Sequence, residues 1–120
     1  SMSCTFAPYL TGRLYLLDYE KLGAGKVGIT NVGTRNSRID ILGQFGFQVV
    51  MTWESDDGFV IRNLETETLR YLRKELKFAP YLSKQDMGPG WKETFSRHVI
   101  EDFDLANWIE ARFLSLLRSD

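Results

Sequence analysis

Between Gly12 and Arg38 two short apolar segments flank a glycine-bearing turn and lead into a polar loop, and this stretch constrains the fold most. In Arg13–Tyr19, Leu14 and Leu16 alternate with Tyr15, Leu17 and Tyr19, the two-residue period of a strand. Gly23 and Gly25, within Glu20–Gly25, tolerate the positive φ angles of a hairpin connection. Lys26–Thr30 reads as the returning strand, with Val27 and Ile29 on one face and Lys26, Gly28 and Thr30 on the other. Glycine inside a strand weakens it, so Gly28 predicts that something approaches the backbone closely there.

Ser1–Thr11, broken by Pro8, reads as a lead-in. After the hairpin, Asn31, Thr34, Asn36 and Ser37 each offer an N-cap for a helix that begins near Arg35 to Arg38 and reaches about Leu42, with Gly43 as its stop. Arg38, Ile41 and Leu42 share a face at i, i+3 and i+4. Gly46–Trp53 is a third strand that places Phe47, Val49, Met51 and Trp53 together, and Ser55–Gly58 is a turn and N-cap. A long helix over Phe59–Phe78, ended by Pro80, comes next. Pro80–Gly90 is irregular, Trp91–Phe95 is a short strand or extended arm, and a helix over about 103–117 closes the chain. The order predicts an α+β fold: a small three-stranded antiparallel sheet flanked by helices, with an extra C-terminal helix.

The helix over Phe59–Phe78 carries an anomaly. At about 100° per residue, Ile61, Glu65, Thr68, Leu69, Leu72 and Leu76 fall within about one third of the circumference, with Glu65 at the centre. A carboxylate in an apolar stripe is costly unless it is paired or binds a metal. Glu67 lies on the other side with Arg70 and Lys74, where surface pairing is expected.

Composition removes several classes. The 120 residues suit one domain, core about 12–95, and 26% charged content is ordinary for a globular chain. One cysteine, Cys4, and one histidine, His98, exclude an intrachain disulfide and a Cys/His zinc site, so a metal would be a hard ion held by oxygen. No apolar run approaches the roughly 20 residues that cross a bilayer, and no leader opens the chain, so a cytoplasmic setting is expected. A net charge of −1 gives no bulk attraction to nucleic acid, although Lys26, Arg35, Arg38, Arg62, Arg70, Arg73, Lys74 and Lys77 could form one basic face.

The order of these elements, with Arg13-Leu14-Tyr15, Lys26-Val27-Gly28-Ile29-Thr30, Ser37-Arg38-Ile39 and Asn63-Leu64-Glu65, resembles the GIY-YIG nuclease superfamily over roughly Gly12–Phe95. The resemblance is to the phage and bacterial branch in which lysine replaces the second motif tyrosine. Here Tyr15 matches the tyrosine of the first motif, Gly28 the glycine of the second, Lys26 the replacing lysine, Arg38 the helix arginine and Glu65 the metal-binding glutamate. Arg13 stands where the family has a glycine, and the asparagine that many members carry late in the domain has no clear equivalent. Gly90–Thr94 resembles a further motif of the branch, to which no role is assigned.

The resemblance implies metal-dependent hydrolysis of phosphodiester bonds in DNA, in a bacterial cell or phage-infected host. It implies Tyr15, Lys26 and Arg38 as catalytic residues, with Tyr15 as the base or the residue that orients water. A phenol with a pKa of about 10 needs cationic neighbours to serve as a base, which Lys26 and Arg38 would supply. Arg38 would hold the phosphate oxygens. Glu65 would carry a single Mg²⁺ or Mn²⁺, and Gly28, Arg35 and Tyr19 would lie against substrate. A homodimer or a separate targeting domain would supply specificity. The four main side chains are expected to converge on one open concave surface. Bland readings stand beside each role: Tyr15 and Tyr19 as packing, Lys26 as a solvated hairpin edge, and Arg38 as a structural ion pair with Glu65. A nucleic-acid-binding or protein-interaction module on the same fold is the alternative function.

Overall fold

The computed structural model describes residues 5–33 and 38–119. Strands β1 (Gly12–Tyr19) and β2 (Ala24–Asn31) form the hairpin, with Tyr15 opposite Gly28 and Leu17 opposite Lys26. Gly23, at φ 66°, makes the turn, whereas Gly25 lies within β2 and is covered by the ring of Phe95. Strand β3 (Gln48–Ser55) pairs antiparallel with the other side of β1, and β4 (Thr94–Ser96) pairs antiparallel with Ala24–Lys26. The sheet is therefore four-stranded, in the order β3-β1-β2-β4, and not three-stranded as expected. Of Trp91–Phe95, read as a short strand or an extended arm, only Thr94 and Phe95 enter β4, and Trp91–Glu93 is a 3₁₀ turn.

Both faces of the sheet are covered. Leu14, Leu16, Val27 and Trp53 face Ile61, Leu64, Leu72, Val99, Leu105 and Ile109 from the following helices. Tyr15, Leu17 and Ala24 face Leu42, Phe47 and Leu82. The first cluster holds eleven buried residues against six among the described residues, so most of the apolar stabilisation, about 1.5–3 kcal/mol per buried large side chain, lies on that side.

Strand β3 corrects a face assignment. Leu16 pairs with Met51 but Leu17 with Val49, leaving Val50 as a bulge residue. The bulge reverses the alternation, so Trp53 joins the larger cluster and Phe47 the smaller, while Val49 and Met51 are exposed.

Helix α1 (Arg38–Gln44) runs through Gly43 instead of stopping there. Gly46, at φ 99°, ends the connection, and the Phe47 amide donates to the Leu42 carbonyl. Helix α2 (Gly58–Arg70) starts as expected, with the Asp57 carboxylate accepting from the Phe59 amide. It does not continue regularly to Phe78. Tyr71–Glu75 is a π-helical turn, and Lys77, at φ 64°, ends it before Pro80 is reached. The lead-in is anchored, since the Asn31 side chain bonds the Ala7 amide and the Ala7 and Thr11 carbonyls.

Short helices α3 (Lys84–Met87) and α4 (His98–Asp102) precede the closing helix α5 (Leu105–Arg118), which starts two residues later than expected. Helix α5 packs on α2, stacking Trp108 on Tyr71 at 4.2 Å between ring centroids. Glu67 pairs with Arg112 of α5 at 3.0 Å rather than with Arg70 or Lys74. No helix among the described residues is long and apolar enough to cross a membrane.

Candidate active site

The hairpin carries Tyr15, Gly28 and Lys26 on the sheet face opposite the one that Ile61 and Leu64 of α2 cover. The Tyr15 ring lies across the strand onto Gly28, where a Cβ would stand 2.2 Å from the hydroxyl oxygen and 2.4 Å from Cζ. The glycine is thus required by the phenol opposite it. Lys26 sits two residues from Gly28 on the same face, diagonal to Tyr15, within reach of a long side chain. Both residues are 2% exposed, so this part of the site is closed, contrary to the open surface expected. Nor is Lys26 a solvated edge residue: β4 pairs along it, and its ammonium donates to the Gly90 carbonyl at 3.0 Å.

Glu65 comes from α2. The fully buried residues there are Ile61, Leu64 and Thr68, followed by Leu72, so Glu65 lies at the flank of the apolar stripe and not at its centre. It is half-buried. Its pKa is pushed up from 4.5 to about 7, first by burial and then by the Glu93 charge, with Lys26 acting in the opposite sense. Near neutral pH the carboxyl is accordingly divided between its protonated and ionised forms.

Glu93 was not among the residues expected at the site. It ends a 3₁₀ turn, Trp91–Glu93, inside the motif whose role the sequence left open. That turn is fixed by polar side chains. Arg73 donates from Nη1 to the Phe78 carbonyl at 2.8 Å and from Nη2 to the Lys92 and Thr94 carbonyls at 2.5 and 2.7 Å. The Thr94 hydroxyl donates to the Trp91 carbonyl and accepts from the amides of Tyr81 and Leu82. With Lys26 on Gly90, the motif is tied to β2, to the π-helical turn and to the loop before α3. The signal for Glu93 was its place in a motif without an assigned role; its partner in space came from a helix 28 positions earlier in the chain.

The remaining expected residues fall differently. Arg38 opens α1, but its side chain, like the whole of Arg35, lies outside the described residues. Tyr19 packs edge-on against Phe47 at 5.2 Å and lies on Gly46, which makes it part of the smaller core. A separate cavity of about 420 Å³, lined by Asp18, Val50, Arg97, His98 and Glu101 among others, lies away from this group. Its Asp18–Arg97 pair closes at 2.5 Å, and His98 Nδ1 is 2.7 Å from the Ser96 hydroxyl.

No group of three or more metal-ligating side chains occurs among the described residues. Glu65 and Glu93 are hard oxygen donors whose mutual repulsion contributes to the raised Glu65 pKa, and a divalent cation relieves such repulsion. Two carboxylates are oxygen donors of the kind that suits Mg²⁺ or Mn²⁺. Compared with protein-family models, with curated proteins and with solved structures, the chain matches none of them.

Proposed function

We propose that the chain is a divalent-metal-dependent endonuclease that hydrolyses phosphodiester bonds in DNA. The observation that carries this reading is the Tyr15 phenol seated on Gly28, with Lys26 on the same face and the Glu65 carboxyl electrically coupled to Lys26. Phosphodiester hydrolysis needs a group to activate or orient water, positive charge for the transition state, and relief of charge on the leaving oxygen. Tyr15 orients the water, and Lys26 on the same face supplies positive charge. Arg38, at the start of α1, binds the non-bridging oxygens. Glu65 and Glu93 hold Mg²⁺ or Mn²⁺, which when bound supplies Lewis-acid stabilisation of the leaving oxygen. The setting that goes with this reading is the cytoplasm of a bacterial cell or phage-infected host, with a second copy or a targeting domain selecting the site.

The burial of Tyr15 and Lys26 favours a second reading, a nucleic-acid-binding module without hydrolysis. One experiment separates the two. Plasmid DNA is incubated with the protein and Mn²⁺, with and without chelator, alongside Glu65→Gln and Arg38→Ala. Chelator-sensitive nicking lost in both variants supports the endonuclease. Nicking that survives both substitutions or the chelator overturns it, and salt-sensitive binding without nicking supports the module.

A further inference from the structure

Two cation–aromatic pairs flank helix α2, one on its first turns and one on the turn that Arg73 holds beyond its other end. At the start of α2 the Arg62 guanidinium lies 5.1 Å from the centroid of the Phe59 ring, and Phe59 is 47% exposed although it belongs to neither core cluster. In the Gly90–Thr94 motif the Lys92 ammonium lies 5.7 Å from the centroid of a Trp91 ring. Lys92 is exposed and Trp91 half-buried.

The topology fixes their order. Gly58 abuts the Pro8 and Leu10 carbonyls near the start of β1, while beyond the other end of α2 Arg73 reaches Thr94 on β4. Helix α2 therefore runs from the Gly12 end of the sheet to the β4 end. Phe59 and Arg62 mark the first end, the Trp91–Glu93 turn with Lys92 is tied by Arg73 to the second, and Glu65 lies between them on α2. Arg62 is one turn before Glu65 on α2, and Lys92 is the residue before Glu93.

We propose that this site takes a nucleic-acid strand with unpaired bases, which stack on Phe59 at one end and on Trp91 at the other, while Arg62 and Lys92 contact the flanking phosphates. This rests on the reading of Glu65 and Glu93 as the reactive centre. An aromatic face already attended by a cation suits a base, because every base has a π-face and the displaced cation finds a phosphate beside it. A duplex keeps its bases stacked on one another and offers neither ring a partner.

The test uses fluorescein-labelled oligothymidylate, a strand of equal length made of abasic spacers, and the duplex with oligoadenylate, at low salt with EDTA to prevent cleavage. The oligothymidylate is expected to bind about tenfold more tightly than either of the other two. Phe59→Ala weakens oligothymidylate binding about tenfold and leaves the abasic strand unchanged, and Phe59→Tyr restores it. Equal affinity for the oligothymidylate and the abasic strand, preference for the duplex, absence of binding, or no effect of Phe59→Ala overturns the proposal. Metal-dependent nicking of plasmid duplex at the same rate by wild type and Phe59→Ala, without single-strand preference, overturns it while leaving the endonuclease reading intact. Base-dependent binding without any nicking has the opposite meaning: the stacking surface stands and the hydrolytic reading falls.

Discussion

Tyr15 and Gly28 are opposed on neighbouring strands, and the phenol occupies the space that a side chain at position 28 would need. Gly28→Ala therefore forces the ring aside, and the expected loss is about 1–3 kcal/mol by urea denaturation, as for other overpacked cores. Gly43 in α1 gives the opposite sign. A Cβ there meets nothing within 4 Å, so Gly43→Ala should raise stability by about 0.5–1 kcal/mol. A Gly28→Ala variant as stable as wild type would show that the ring is not held where we describe it.

The Glu65 carboxyl gives stability a characteristic pH dependence. Its folded-state pKa, about 7, lies above the ordinary 4.5, so between those values the folded protein holds a proton that the unfolded chain has released. Stability conferred by this group is fully present below pH 4.5, falls as pH rises towards 7, and is gone above it. The fall is at most about 3 kcal/mol, and nearer 1–2 once solvent screening of a half-buried group is included. Thermal unfolding in EDTA across this range should show the slope in wild type and its absence in Glu65→Gln. Mn²⁺ at pH 8 should recover stability in wild type only.

Arg73 gathers three backbone carbonyls from two separate stretches of chain with one guanidinium. Arg73→Ala leaves those carbonyls without this partner, and a loss of about 3 kcal/mol or more is expected from thermal unfolding. Lysine, with a single ammonium, cannot reproduce the fork and should recover less than half of the loss. The same variant loosens the turn that carries Glu93, so NMR titration of the Glu65 carboxyl should find its pKa closer to 4.5 than in wild type.

Thr94 serves the same turn from the inside. Thr94→Val keeps the shape but removes the acceptor for the Tyr81 and Leu82 amides and the donor to the Trp91 carbonyl. A cost of about 1–3 kcal/mol is expected, with hydrogen exchange at the Leu82 amide accelerated more than at β1 amides. Equal acceleration at both would mean that the turn has no stability of its own.

The hairpin, the helix cap within Ser55–Gly58 and the close approach at Gly28 were legible in the sequence because each depends on residues close together in the chain, whereas Glu65, read at the centre of an apolar stripe, stands at its flank. A strand period and a helix cap are local patterns. The pairing of β4 with β2 and the Val50 bulge were not legible, because each is defined only against a neighbouring strand. The π-helical turn escaped for a related reason: Tyr71–Glu75 keeps helical spacing well enough to read as a continuation of α2. Lys26 reads as a solvated hairpin residue until β4 covers it. Glu93 acquires meaning only from its charge contact with Glu65, and Glu67 found Arg112 on another helix instead of a neighbour on its own.

The Val50 bulge bears on how this protein behaves at high concentration. Strand β3 has β1 as its sheet neighbour on one side only, and exposes Val49, Val50 and Met51. An apolar outer strand of this kind is a template for another chain's strand, the first step towards aggregates. The extra residue interrupts the even spacing of amides and carbonyls that such pairing requires. Deleting Val50 would straighten the strand and should yield a protein that folds but scatters light on concentration, whereas Val50→Lys should remain clear. In this chain a single surplus residue stands between a sheet that ends and one that grows.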